Sequence, residues 1–162
     1  MTRAIADTDI LSVFGKVEKE EILSSLFDEI FITPAVFEEL LQARRVGFTF
    51  VEDALKSVKL IPLDTELEER VRGFSLLYPQ LGRGEIESIA FAVSEKLVML
   101  TNDKQAKRIC QANSVFFMDL EELLRALKVK GILDLGGLKQ LMEDIEREDR
   151  TIIKAKDRIL RE

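Results

Sequence analysis

Four acidic residues stand where strands give way to helices or where helices open. Asp7 follows the apolar stub Ala4 to Ala6, Glu39 lies in PAVFEEL, Glu85 comes directly after Gly82-Arg83-Gly84, and Asp103 follows the run LVML at 97–100 and Thr101-Asn102. Carboxylates gathered in one place repel and lose solvation unless something offsets their charge. A hard divalent cation does so, and Mg²⁺ or Mn²⁺ takes oxygen ligands and bridges to phosphate oxygens, which suits phosphodiester chemistry. The chain has no histidine, so Ser-His-Asp and Cys-His catalysis and His-ligated zinc are excluded together. Its single cysteine, Cys110, can form neither an internal disulfide nor a Cys-rich metal site; on an apolar helix face it reads as packing.

The elements that must position these acids follow from hydrophobic spacing. Strand 4–6 precedes a helix carrying Ile10, Leu11, Val13 and Phe14, and residues 18–27 read as another helix. Strand 29–32 leads through Thr33-Pro34 into a helix reaching about Ala43, and residues 58–61 read as a third strand ended by Pro62. A helix over 66–77 is followed by a turn at 78–84, a helix from Glu85 to Lys96, the strand 97–100, a helix over 104–112, a strand over 115–117 and a helix over 120–129. After Gly136-Gly137 the remainder reads as charged helix. Strands alternating with helices predict an α/β fold, a three-layer α/β/α sandwich with a mostly parallel sheet, whose ligand site lies at the carboxyl ends of the strands.

With 162 residues, 46% of them hydrophobic and 33% charged, the chain is long enough for one compact unit and too apolar for disorder. Its 30 acidic against 24 basic residues give a net charge of -6, so bulk charge does not favour a phosphate backbone and any nucleic-acid contact must be local. No window reaches the ~18 apolar residues of a membrane span, and the start lacks the pattern of a signal peptide, so no membrane partner and a cytoplasmic location are expected.

The segments IADTDIL, PAVFEEL, GRGEIESIAFA and MLTND, in that order, resemble the acidic motifs of the PIN domain, a nuclease fold, and in particular prokaryotic PIN-like proteins related to VapC-type toxins. The resemblance covers about residues 3 to 135. It implies a PIN-like nuclease domain over 1–135, with 136–162 a helical extension packing on the domain or a partner. It also implies that Asp7, Glu39, Glu85 and Asp103 are the catalytic, metal-binding acids for Mg²⁺ or Mn²⁺, with Thr8, Asp9, Glu87, Thr101 and Asn102 in support. Asp9 departs from the family's usual Asn or Ser. The implied activity is metal-dependent hydrolysis of single-stranded RNA, in the toxin of a toxin–antitoxin pair. An antitoxin protein and a second copy in a homodimer are the implied partners.

Arg44, Arg45, Arg83, Lys104, Lys107 and Arg108 flank the motifs and are candidates for RNA phosphates, against a plainer reading as solvated rim. Phe48 and Phe50 are candidates for base stacking, against core packing. Ile152, Ile153, Ile159 and Leu160 give the tail an apolar stripe for docking. Each acid also has a plain role: Asp7 and Asp103 as helix caps, Glu85 as a first-turn acid and Glu39 as a solvated helix residue. Two other functions compete with the nuclease. Asp7-Thr8-Asp9 matches the acid pair of haloacid-dehalogenase-type phosphatases, and a PIN-like scaffold would bind a partner without cleaving RNA.

Overall fold

The computed structural model describes residues 2–161. In chain order the elements are β1 (Arg3–Ala6), α1 (Thr8–Lys16), α2 (Glu20–Ser24), β2 (Glu29–Ile32), α3 (Pro34–Arg45), α4 (Val51–Lys56), β3 (Lys59–Leu60) and α5 (Thr65–Leu77). There follow α6 (Arg83–Glu95), β4 (Val98–Leu100), α7 (Lys104–Ala112), β5 (Phe117–Met118), α8 (Leu120–Val129), α9 (Leu135–Glu148) and α10 (Lys156–Arg161). The strands form one sheet in the order β3-β2-β1-β4-β5, and every pairing is parallel. The expected three-layer α/β/α architecture is present, with a wholly parallel sheet among the described residues.

Strand periodicity explains the layers, because successive side chains leave opposite faces. Ile5, Phe31 and Met99, one row across three strands, face α6 and α7 with Ile89, Ile109 and Cys110. Ala4, Ala6, Ile30, Ile32 and Leu100 face the larger cluster, which holds Phe14 of α1, Leu40 of α3 and Leu123, Leu124 and Leu127 of α8. Both faces are therefore apolar, as a doubly covered parallel sheet requires. The tail joins this same cluster through Leu138, Leu141, Met142, Ile145, Ile153 and Ile159.

Several boundaries differ from the sequence reading. The helix α4 has no counterpart in the sequence pattern: Phe50 at its N-cap supplies no side-chain cap and the helix spans only six residues, so it carries no start signal. Phe50 is buried in the main cluster, while Phe48 is half-exposed with Lys16 Nζ 5.7 Å above its ring. The third and fifth strands shrink to two residues each; Val115 packs beneath the sheet before β5 begins, and Phe116 is exposed. The second helix spans only Glu20–Ser24, after Glu18 at φ 57°. The helix expected from Glu85 starts at Arg83, capped by Gly82.

The tail is not one helix. It starts at Leu135, because Asp134 accepts from Gly137 N–H at 2.7 Å and takes Gly136 and Gly137 into the first turn. It then breaks between α9 and α10, with Arg150 at φ 53°. The break separates the apolar stripe: Ile153 and Ile159 are buried and Ile152 is exposed.

Gly15 sets how closely α1 meets Phe50, since a Cβ there would stand 2.6 Å from the ring's Cδ2 and 3.0 Å from Phe50 Cβ. Gly15→Ala is expected to lower stability by about 1–3 kcal/mol in a urea titration, because the ring is anchored too close to its backbone to yield.

Candidate active site

Asp7 prolongs β1, its N–H donating to Leu100 O at 3.1 Å, and it caps α1 by accepting from Ile10 N–H at 3.0 Å. Its side chain is only 6% exposed. Burial raises its pKa to about 7; hydrogen bonds from Thr101 and Ile10 oppose the rise, and the charges of Asp9 and Glu85 add to it. A carboxyl held near neutrality at the end of a buried strand is poised to change its protonation when a cation approaches.

Glu39 and Glu85 come from two helices that meet beside Asp7. Glu39, on α3, accepts a hydrogen bond from the Thr8 hydroxyl. Gly84 permits the approach of α3 and α6, because a Cβ there would stand 2.7 Å from Glu39 Oε1 and 3.3 Å from Val36 Cγ2. Glu85 lies in the first turn of α6 and accepts from Gly82 N–H at 2.7 Å. Its pKa is raised by burial, against the Gly82 hydrogen bond, with Asp103, Glu39 and Asp9 adding repulsion. A cavity of about 50 Å³ is lined by Asp7, Thr8, Asp9, Val36, Glu39, Gly84 and Glu85. Asp9 is exposed on the first turn of α1.

Asp103 enters from β4. Thr101, fully buried, continues that strand by donating its N–H to Met118 O at 3.1 Å. Its hydroxyl oxygen accepts from Asp103 N–H at 3.1 Å, and the hydroxyl also hydrogen-bonds to Asp7, so one side chain ties the two aspartates together. Asp103 caps α7 through Ala106 N–H at 2.7 Å. Asp64 and Asp134 cap α5 and α9 in the same way, so capping by itself marks no site. What distinguishes Asp7 and Asp103 is their place at the carboxyl edge of the sheet and their electrostatic coupling, through Glu85, to the other acids.

Two expected supporters face elsewhere. Glu87, 2% exposed, accepts from Ala35 N–H at 2.9 Å and from Arg83 Nε at 2.6 Å. Both its oxygens are thus committed to joining α3 and α6. It serves the start of α3 in place of Thr33, whose own side chain makes no cap. Asn102 turns away, accepting from Leu120 N–H at the start of α8 at 2.9 Å. Of the six candidate cations, Lys107 pairs with Asp119 at 2.7 Å, Arg44 approaches Glu52 at 4.0 Å, and Arg83 is tied through Nε to Glu87. Arg45, Lys104 and Arg108 are exposed and form no ion pair among the described residues.

The sequence reading missed Asp119. It ends β5 as Asp7 ends β1, capping α8 through Glu122 N–H at 3.0 Å. Burial works to raise its pKa, but hydrogen bonds from Lys107 and Glu122 N–H, and the lysine's charge, outweigh it and hold the carboxyl below its ordinary range. The strand-acid-helix order in FFMDLEELL was the available signal.

Asp7, Asp9, Glu39, Glu85 and Asp103 form no ion pair among the described residues, so their mutual repulsion has no internal counter-charge. Their donors are all hard oxygens, the chemistry a Mg²⁺- or Mn²⁺-like cation takes. Asp7, Glu39, Glu85 and Asp103 each have one oxygen held locally, by Ile10, Thr8, Gly82 and Ala106 in turn, and among the described residues no three acids converge on one point at ligand spacing. The donor set is of the kind a hard cation takes.

Comparison with known proteins bears on the fold and the family. The chain resembles a chain of the VapBC2 crystal structure from Rickettsia felis bound to a DNA fragment from their promoter, with a TM-score of 0.56, 16% identity, and coverage of 73% of this chain and 98% of that one. It is similar as well to a chain of VapBC-1 from nontypeable Haemophilus influenzae, with a TM-score of 0.55, 12% identity and the same coverages of 73% and 98%. At these identities the likeness is one of fold. No curated protein matches the sequence. Among the described residues no helix is long and apolar enough to cross a membrane. A family model described as a PIN domain matches residues 3–159, and the chain belongs to the PIN domain family.

Proposed function

We propose that the protein is a divalent-metal-dependent endoribonuclease that hydrolyses single-stranded RNA, with Asp7, Glu39, Glu85 and Asp103 as its catalytic, metal-holding acids. The observation that carries this reading is a set of coupled carboxylates, without a counter-charge of their own, at the carboxyl edge of a PIN-domain sheet. A bound Mg²⁺ or Mn²⁺ would offset the charge gathering on the phosphate and make a water acidic enough to attack at neutral pH.

The chain's own residues do the rest. Asp7 ionises when a cation approaches and keeps its orientation through Ile10 N–H. Thr101 holds Asp7 and Asp103 in fixed relation. Thr8 positions Glu39 across the cavity, and Glu85 closes it from α6. The described part of the extension, 136–161, buttresses α1: its apolar residues share the cluster of Phe14, and Asp149 pairs with Lys16 at 2.8 Å.

A partner protein that covers the acidic cavity would restrain the enzyme. The likeness to chains of VapBC assemblies supports such a partner, and light scattering at tens of micromolar tests the self-association that the same reading includes.

Because a bound metal would supply the nucleophile from water, attack by water is expected rather than attack by the RNA's own 2′-hydroxyl. Mapping the ends of the cleaved RNA tests this: linear phosphate and hydroxyl ends support the proposal, and 2′,3′-cyclic phosphates contradict it. Thr101→Val is expected to lower the cleavage rate by about 10–100-fold, as losses of groups that orient ligands do, whereas Thr101→Ser retains most of it. Comparing the two single-turnover rates separates the hydroxyl's role from simple packing.

A further inference from the structure

The acids attract no RNA on their own, and the carboxyl edge needs cations to bring a strand to them. The structure sorts the cations into committed and free. Lys107 is neutralised by Asp119 and Arg158 pairs with Glu121, while Arg72 of α5 makes no ion pair or side-chain hydrogen bond among the described residues. Arg72 is one wall of a groove of about 380 Å³ whose other lining residues are Glu68, Ser75 and Arg83. Glu68, Arg72 and Ser75 recur at the i, i+4, i+7 spacing that puts them on one stripe of α5. Arg83 faces them from the first turn of α6, two residues before Glu85. Only its Nε is committed, to Glu87, so the outer guanidinium nitrogens can reach a further acceptor.

We propose that this groove between α5 and α6 is a binding subsite for the phosphodiester backbone of the RNA strand, with Arg72 and Arg83 contacting a phosphate next to the one cleaved. The proposal rests on the nuclease reading and names where the substrate runs. Two guanidiniums and a serine hydroxyl lining one groove are donors that suit a phosphate. Glu68, which forms no ion pair among the described residues, is the repulsive member of the site and limits its affinity. The subsite reads backbone and not base, so it adds affinity without sequence preference.

The test is the affinity of the full chain for a fluorescein-labelled single-stranded RNA 12-mer, by anisotropy in EDTA and across a range of KCl. Each phosphate contact on a single strand contributes a slope of about 0.7 in log affinity against log salt, or roughly fivefold in affinity at about 0.1 M salt. Arg72→Gln is expected to show both losses. Arg70→Gln removes the same charge from α5 off the stripe and is expected to leave affinity and slope unchanged. Glu68→Gln is expected to tighten binding, a gain that misfolding cannot produce. If wild type binds RNA but Arg72→Gln and Arg70→Gln behave alike, the subsite is overturned and the nuclease reading stands. If polyglutamate of matched charge displaces the RNA as well as unlabelled RNA does, the groove takes an acidic peptide and the proposal is likewise overturned. If wild type does not bind the RNA in EDTA, the subsite is overturned, and cleavage with Mg²⁺ or Mn²⁺ restored decides the nuclease reading separately.

Discussion

Asp7→Asn is expected to make the metal-free protein more stable at pH 8 while abolishing RNA cleavage. Burial lifts the Asp7 pKa from 3.8 to about 7, so the folded protein holds this proton more tightly than the unfolded chain does. Ionising Asp7 therefore costs the folded state nothing below about pH 4, increasingly more between about pH 4 and 7, and its full amount above that. A shift of this size corresponds to about 4 kcal/mol at pH 8. Asparagine never ionises, still caps a helix well and can still accept from Ile10 N–H. Urea titrations in EDTA should show a gain on the order of 3–4 kcal/mol for the variant at pH 8 that shrinks to nearly nothing at pH 4. Adding Mn²⁺ at pH 8 should stabilise wild type more than the variant, because the cation offsets the cost of ionising Asp7 and asparagine has no such cost to offset. A variant that is less stable than wild type at pH 8 would show that Asp7 serves the fold and not a site.

The two glutamates of α6 are expected to separate stability from activity. Glu87 is buried, with one oxygen on Ala35 N–H and the other on Arg83. Glu87→Ala leaves that N–H without an acceptor inside the interface of α3 and α6, and is expected to cost about 2–4 kcal/mol of unfolding free energy. Glu87→Gln keeps the Ala35 contact and should lose roughly half as much. Glu85, in contrast, is partly exposed and its local bond to Gly82 N–H survives in Glu85→Gln. That variant is expected to change stability by less than about 0.5 kcal/mol, yet lose cleavage by about 100-fold or more. Denaturation curves and single-turnover rates on the two variants give the comparison. Equal losses of stability in both would place Glu85 in the structural interface with Glu87.

The sheet was legible because a parallel strand buried on both faces is a continuous apolar run, and LVML and the stub at 4–6 are such runs. Asp7 and Asp103 were legible for a related reason: the polar residues that end a buried strand, Asp7 directly and Asp103 after Thr101-Asn102, sit at the sheet's edge. Glu85 and Glu87 could be told apart only in principle, since two residues along a helix point in different directions. Which one faces the cavity depends on Gly84, whose lack of a side chain brings α3 against α6, and that is a tertiary fact. Asn102 and Lys107 looked like neighbours of the site but are drawn to the start of α8, a pairing between segments that no local pattern encodes. Arg72 escaped notice because nothing in α5 resembles an acidic motif, and its groove exists only once Arg83 lies opposite.

The most direct test of the account is cleavage of labelled single-stranded RNA by EDTA-treated protein before and after Mg²⁺ or Mn²⁺ is restored, for wild type, Asp7→Asn and Asp103→Asn. No cleavage is expected in EDTA, with recovery on either ion in wild type and loss in both variants although each remains folded. Cleavage that persists in EDTA or in both variants, or a folded wild type that cleaves nothing with either ion, would contradict it.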